Sequence, residues 1–111
     1  RRKRIAELYL LSLRNLDWIV SPAKAEKNEH VWHIFSILVE NPDKVASYLI
    51  SQGIETLRHY PIPPHKQEAF AEMNISLPKS EYIHSHTLSL PLHPTMTDAE
   101  VNYISNKLSE Y

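Results

Sequence analysis

At 111 residues, with 42% hydrophobic and 23% charged side chains, the chain has the make-up of one folded domain with a single core, which excludes disordered and fibrous classes. A net charge of −1 supplies no long-range field to gather nucleic acid or anionic lipid, and no apolar run approaches the roughly 18 to 20 residues of a membrane span. The absence of cysteine excludes disulfide bracing and thiolate chemistry, and the expected location is the cytoplasm.

Ile5, Leu8, Tyr9, Leu13 and Leu16 recur at helical spacing and predict an amphipathic helix over residues 2–16. It opens on Arg1-Arg2-Lys3-Arg4, a basic start unfavourable to the helix dipole, read as a solvated turn within a longer helix that begins upstream. Residues 21–29 are polar and aperiodic, which predicts a surface loop. His30–Glu40 then reads as a long central strand: Val31, His33, Phe35, Ile37 and Val39 take one face, and Trp32, Ile34, Ser36 and Leu38 the other. His33 is expected to be a core or interface histidine bonded to the backbone.

Asn41-Pro42-Asp43 combines an N-cap, a first-turn proline and a dipole-matched acid, so a helix starts there and closes at Gly53, the chain's one glycine. A short strand is predicted over Ile54–Arg58, followed by a loop that Pro61, Pro63 and Pro64 stiffen. That loop holds His59, Tyr60 and His65 with little freedom and is the candidate binding surface. Short helices are predicted over Lys66–Glu72 and Lys79–Thr87, and an extended edge segment over residues 88–92. Thr97-Asp-Ala-Glu100 has capping-box spacing, with Val101, Ile104 and Leu108 as the buried stripe of a closing helix. The class is α+β: a small, mainly antiparallel sheet of about three strands packed with helices.

Seven histidines raise the question of a metal site, above all His84 and His86, which would share a face on a strand but diverge on a helix. The segment reads as helix and no third ligand stands at a matching spacing, so no metal is expected. One glycine cannot form a phosphate loop, and no glycine-flanked serine elbow exists.

The run from Gly53 through His59-Tyr60-Pro61-Ile62-Pro63-Pro64-His65 to Gln67 resembles a late signature of the DegT/DnrJ/EryC1/StrS family of pyridoxal-phosphate sugar aminotransferases. Arg4–Tyr9, His30–Phe35, and Leu88–Pro94 followed by Thr97–Leu108 resemble further segments of that family in the family's order. The resemblance implies a C-terminal small domain, residues 1–111, entered through a linker helix over 1–16, of a longer enzyme that moves an amino group from a donor such as glutamate to a nucleotide-linked keto-sugar. It implies that His59, Tyr60 and His65 lie near sugar and cofactor at the mouth of a homodimer's active site. The tyrosine and proline variant looks closest to members that aminate the 3-keto position of a dTDP-linked 6-deoxyhexose.

The departure from the family pattern is the absence of the large domain with its Schiff-base lysine. None of Lys24, Lys27, Lys44, Lys66, Lys79 and Lys107 matches that lysine, so the expectation is a piece without catalytic residues or bound pyridoxal phosphate of its own. Tyr9, Trp18 and Trp32 are the candidates for its exposed docking surface, with a core position an equal alternative for Trp32. The alternative is a free-standing module using the 59–65 loop to bind a ligand or protein.

Overall fold

In the computed structural model, which describes residues 1–23 and 30–111, helix α1 (Arg2–Leu13) lies against the C-terminal helix α4 (Asp98–Glu110). The α1 stripe buries Ile5, Ala6, Tyr9 and Leu13 with Leu8 half-buried; the helix ends at Leu13, short of the expected residue 16, and Leu16 is half-buried beyond it. Its basic start is not merely solvated. Arg1 and Arg4 pair with Asp98 in the first turn of α4 at 2.8 and 3.3 Å, and Arg2 donates to the His33 carbonyl at 2.8 Å. Asp98 serves two positive partners, the α4 dipole and these guanidiniums, and the bond from Arg1, then that from Arg4, holds its carboxyl below the usual range.

Most of the predicted loop at 21–29 lies outside the described residues. The expected long strand is shorter: β1 covers Phe35–Leu38. Trp32 ends it on the N-terminal side, because its φ of +51° is left-handed and incompatible with a continuing strand. The Trp32 ring is buried against Phe35, and its backbone N–H donates to His30 Nδ1 at 2.9 Å. Val31, expected on the buried face, is 83% exposed.

Helix α2 (Pro42–Ser51) begins as its cap signals predict, with Asn41 Oδ1 accepting from Lys44 N–H at 3.0 Å. It ends in a Schellman arrangement: Gly53, at φ +74°, donates to the Ile50 carbonyl at 3.0 Å and Ile54 donates to the Leu49 carbonyl at 2.9 Å. That closure uses the Ile54 amide, and Arg58 turns away to another helix, so the expected strand over Ile54–Arg58 shrinks to a single bridge between Leu57 and Ser89. The expected helix over Lys66–Glu72 becomes two 3-10 turns, Pro64–Lys66 and Glu68–Met73, with no residue buried; without an apolar face, a full helix has nothing to pack on. Helix α3 (Pro78–His86) runs directly into β2 (Thr87–Leu90).

The α+β class stands, with a two-stranded antiparallel sheet where about three strands were expected. Single bridges lengthen it on both sides, Val20 to Leu38 beyond β1 and Leu57 to Ser89 beyond β2, so β1 has neighbours on both edges as a central strand should. Phe35 and Ile37 of β1, with Leu88 and Leu90 of β2, face the core shared with α1, α2 and α4. Tyr9, expected as a candidate for an exposed docking face, belongs to that core; Trp32, for which docking face and core were both open, takes the core; Trp18 is the partly exposed one, packed on Tyr111 at 5.0 Å. No helix among the described residues is long and apolar enough to cross a membrane.

Candidate functional site

The other face of the sheet is where the polar chemistry collects. Ser36 and Ser89 are directly opposed across β1 and β2, and the main-chain bonds of Ser89 go to Leu57, 2.7 Å from its N–H and 3.3 Å to its carbonyl. Since those groups point away from β1, Ser36 and Ser89 form a non-hydrogen-bonded pair, the kind whose side chains approach most closely. Their hydroxyls are 2.9 Å apart. Leu57 sits on the same face as its partner Ser89, and His59, two residues further along, reaches the same serine. Its Nδ1 lies 2.9 Å from Ser89 Oγ.

His59 and Ser89 line a shallow pocket of about 170 Å³, shared with His33, Glu55, Thr56 and Leu92. Of the two places expected for His33, the core is excluded: it is exposed at this pocket and gives its carbonyl to Arg2. The structure therefore brings two imidazoles to one rim. Tyr60 is 64% exposed with its ring edge-on to His59, centroids 5.6 Å apart, and His84 Nδ1 bonds its carbonyl.

His65 stands differently. Its side chain is only 7% exposed, and Nε2 bonds Glu81 Oε1 at 3.0 Å. The same carboxylate oxygen accepts from Leu77 N–H at 3.0 Å, ahead of α3, and lies 3.5 Å from Lys66 Nζ. The His65 bond first, then the Leu77 bond, lowers the Glu81 pKa to about 2. His65 is thus a strut between the proline loop and α3, and His59 with Tyr60 forms the presented pair. Arg58 supplies a second strut, donating to the carbonyls of His84 and Ser85 at 3.0 and 2.9 Å in the last turn of α3.

His84 and His86 lie on helix α3 and serve separate partners, Tyr60 for the first and Ser85 with Tyr82 for the second. Among the described residues no three His, Asp or Glu side chains are grouped to hold a metal ion. The sequence reading missed Ser36, Ser89, Arg58 and Glu81. A serine in the middle of each apolar strand was the available signal for the first two, because a hydroxyl on a packed sheet needs a partner.

A model of the DegT/DnrJ/EryC1/StrS aminotransferase family matches residues 1–109. The chain belongs to that family. The dTDP-3-amino-3,6-dideoxy-alpha-D-galactopyranose transaminase of Aneurinibacillus thermoaerophilus is 42% identical to it over 112 residues, which take in 100% of this chain and 31% of the relative. Among solved structures, Streptomyces venezuelae DesV in complex with a ketimine intermediate superposes with a TM-score of 0.92 at 34% identity, covering 99% of this chain and 30% of DesV. NtdA from Bacillus subtilis with bound cofactor PMP gives a TM-score of 0.83 at 29% identity, covering 98% of this chain and 27% of NtdA. The chain therefore spans about 30% of the length of the family members it matches.

Proposed function

We propose that residues 1–111 act as the C-terminal small domain of a pyridoxal-phosphate aminotransferase that aminates a nucleotide-linked keto-sugar in the cytoplasm, working as a homodimer with an amino acid as donor. The observation that carries this reading is identity of 42% along the whole chain to a dTDP-sugar transaminase. The 3-keto position of a dTDP-linked 6-deoxyhexose is the proposed site of amination, because that relative's product carries its amino group at carbon 3.

Within this reading, His59 and Tyr60 form part of the rim facing sugar and cofactor, and His65 braces the rim from behind. The described residues of this chain do not fit a cofactor site by themselves. Among the described residues no lysine or arginine lines the pocket at His59, so a phosphate would find no cation and a carbonyl no amine from them there. Lys107 is paired with Glu110 at 2.6 Å, and Lys66 lies beside Glu81. The contribution of this chain is hydrogen-bonding groups and shape, held to a rigid sheet.

The reading is tested by a chimaera in which residues 1–111 replace the matching segment of the Aneurinibacillus enzyme. Formation of the dTDP-3-amino sugar by the chimaera is expected. A folded chimaera that binds its cofactor yet makes no amino sugar, with the parent enzyme active beside it, would refute it.

A further inference from the structure

We infer that Ser89, backed by Ser36, is a positioning residue that fixes His59 as the Nε2–H tautomer, so that the rim offers a neutral hydrogen-bond donor to an acceptor oxygen of the ligand. The inference deepens the aminotransferase reading and rests on it for the identity of the ligand, but not for the state of the ring.

The argument is a count of protons. Two hydroxyls and one ring nitrogen form a chain of two contacts, Ser36 Oγ to Ser89 Oγ at 2.9 Å and Ser89 Oγ to His59 Nδ1 at 2.9 Å. If Nδ1 is the unprotonated nitrogen, Ser36 donates to Ser89 and Ser89 donates to Nδ1, and both hydroxyl protons are used. If Nδ1 carries the proton, it must donate to Ser89, Ser89 must donate to Ser36, and the Ser36 proton has no acceptor among the described residues. Ser36 is half-buried, and leaving its hydroxyl proton without a protein partner is disfavoured against a relay in which both hydroxyl protons are used, so the first arrangement prevails. Ser89 is 4% exposed, and both its main-chain groups are held by Leu57, so neither rotation of the strand nor water readily substitutes for the contact. The surrounding charges do not reverse the preference: Glu55 lines the same pocket but is exposed and has no bond to His59 among the described residues, and Arg58 is turned to α3.

The consequence is specific. Nε2, which has no partner among the described residues, carries the proton. It can donate to a keto, hydroxyl or phosphate oxygen, and it cannot accept a proton from a ligand hydroxyl while the relay is intact. His59 then orients an oxygen at the rim and does not act there as a general base.

The test is nitrogen-15 NMR of the protein labelled at histidine, at about pH 9, well above the ordinary imidazole pKa of about 6.5. The His59 signals are identified by their loss in His59→Asn. The expected result is a pyrrole-type shift at Nε2 and a pyridine-type, hydrogen-bonded shift at Nδ1. In Ser89→Ala the Nδ1 shift moves to that of a nitrogen without a hydrogen bond and a population of the Nδ1–H form appears; Ser89→Thr, which restores a hydroxyl, returns the original pattern. A protonated Nδ1 in the unaltered protein overturns the inference; this state is read on the unaltered protein, with His59→Asn serving only to identify the signals. Unchanged ring shifts in a folded Ser89→Ala protein overturn it as well. Neither sugar nucleotide nor cofactor is in the sample, so an inactive chimaera would count against the aminotransferase reading alone, and a protonated Nδ1 against the relay alone.

Discussion

Replacing Arg58 with alanine should free α3 from the loop that carries His59 without disturbing the core. The guanidinium makes two charge-assisted bonds to the carbonyls of His84 and Ser85, at 3.0 and 2.9 Å, and bonds to charged donors are worth about 1.5–3 kcal/mol each. Against their sum of roughly 3–6 kcal/mol stands the buried Arg58 Nε, which has no partner among the described residues and whose desolvation costs about 1–3 kcal/mol. The ion pair with Asp43 at 3.4 Å adds at most about 1 kcal/mol, because the Asp43 side chain is open to water. The net loss is therefore about 2–3 kcal/mol.

Hydrogen exchange of the α3 amides under native conditions reads this loss directly. Local opening of α3 should become roughly 30- to 100-fold more frequent in Arg58→Ala, while the amides of α4, which packs on α1, keep their protection. Arg58→Lys should recover less than half of the effect, since an ammonium lacks the planar fork that meets both carbonyls through one nitrogen and Asp43 through the other. If α3 and α4 lose protection in parallel, or α3 does not change, Arg58 is not the strut described above.

Further perturbations separate the scaffold from the rim. Thr97→Ala removes the capping box, in which Thr97 Oγ1 accepts from Glu100 N–H at 3.2 Å and Glu100 Oε2 accepts from Thr97 N–H at 2.7 Å; urea unfolding should show a loss of about 1–2 kcal/mol. Leu88→Ala, at a fully buried β2 position, should cost about 2–5 kcal/mol in the same assay, and a smaller loss would mean the site collapses without a cavity. Glu81 titrates at about 2 in the folded chain against an ordinary 4.5, so its contribution is complete above about pH 4.5 and disappears as pH falls toward 2. A carbon-13 titration of the Glu81 carboxyl with its midpoint near 4.5 would show that the His65 bond is absent in solution.

The parts of the fold that were legible in the sequence are those whose cause is local. Asn41-Pro42-Asp43, Gly53 and Thr97–Glu100 each fix a helix end through contacts within a few residues: α2 begins and ends, and α4 begins, where these signals lie. The extent of β1 was not legible, because it is set by Trp32, whose left-handed backbone is held by packing on Phe35 and by bonds reaching from α1. The same holds for residues 54–58: their β-type composition is real, but the amide of Ile54 is claimed by α2 and the side chain of Arg58 by α3. Sequence pattern marked His59 as presented by a stiff loop. It could not show that the hydroxyl meeting Nδ1 comes from position 89, thirty residues away.

The proline loop and α3 depend on polar contacts for a reason visible in their burial. Between Tyr60 and His86 the only buried apolar residue is Pro63, so this stretch adds almost nothing to the apolar core, and the prolines limit how it can bend without fixing where it lies. Its position is set by a few bonds: Arg58 to the end of α3, His84 to the Tyr60 carbonyl, and His65 with Lys66 to Glu81. His59 is different, because its partner Ser89 belongs to a strand whose other face is core. A histidine tied to the sheet and a tyrosine tied to a segment held by bonds alone have unequal freedom. Substitutions at Arg58 or Glu81 should therefore move Tyr60 and leave His59 in place, a separation that composition alone would not suggest for adjacent residues.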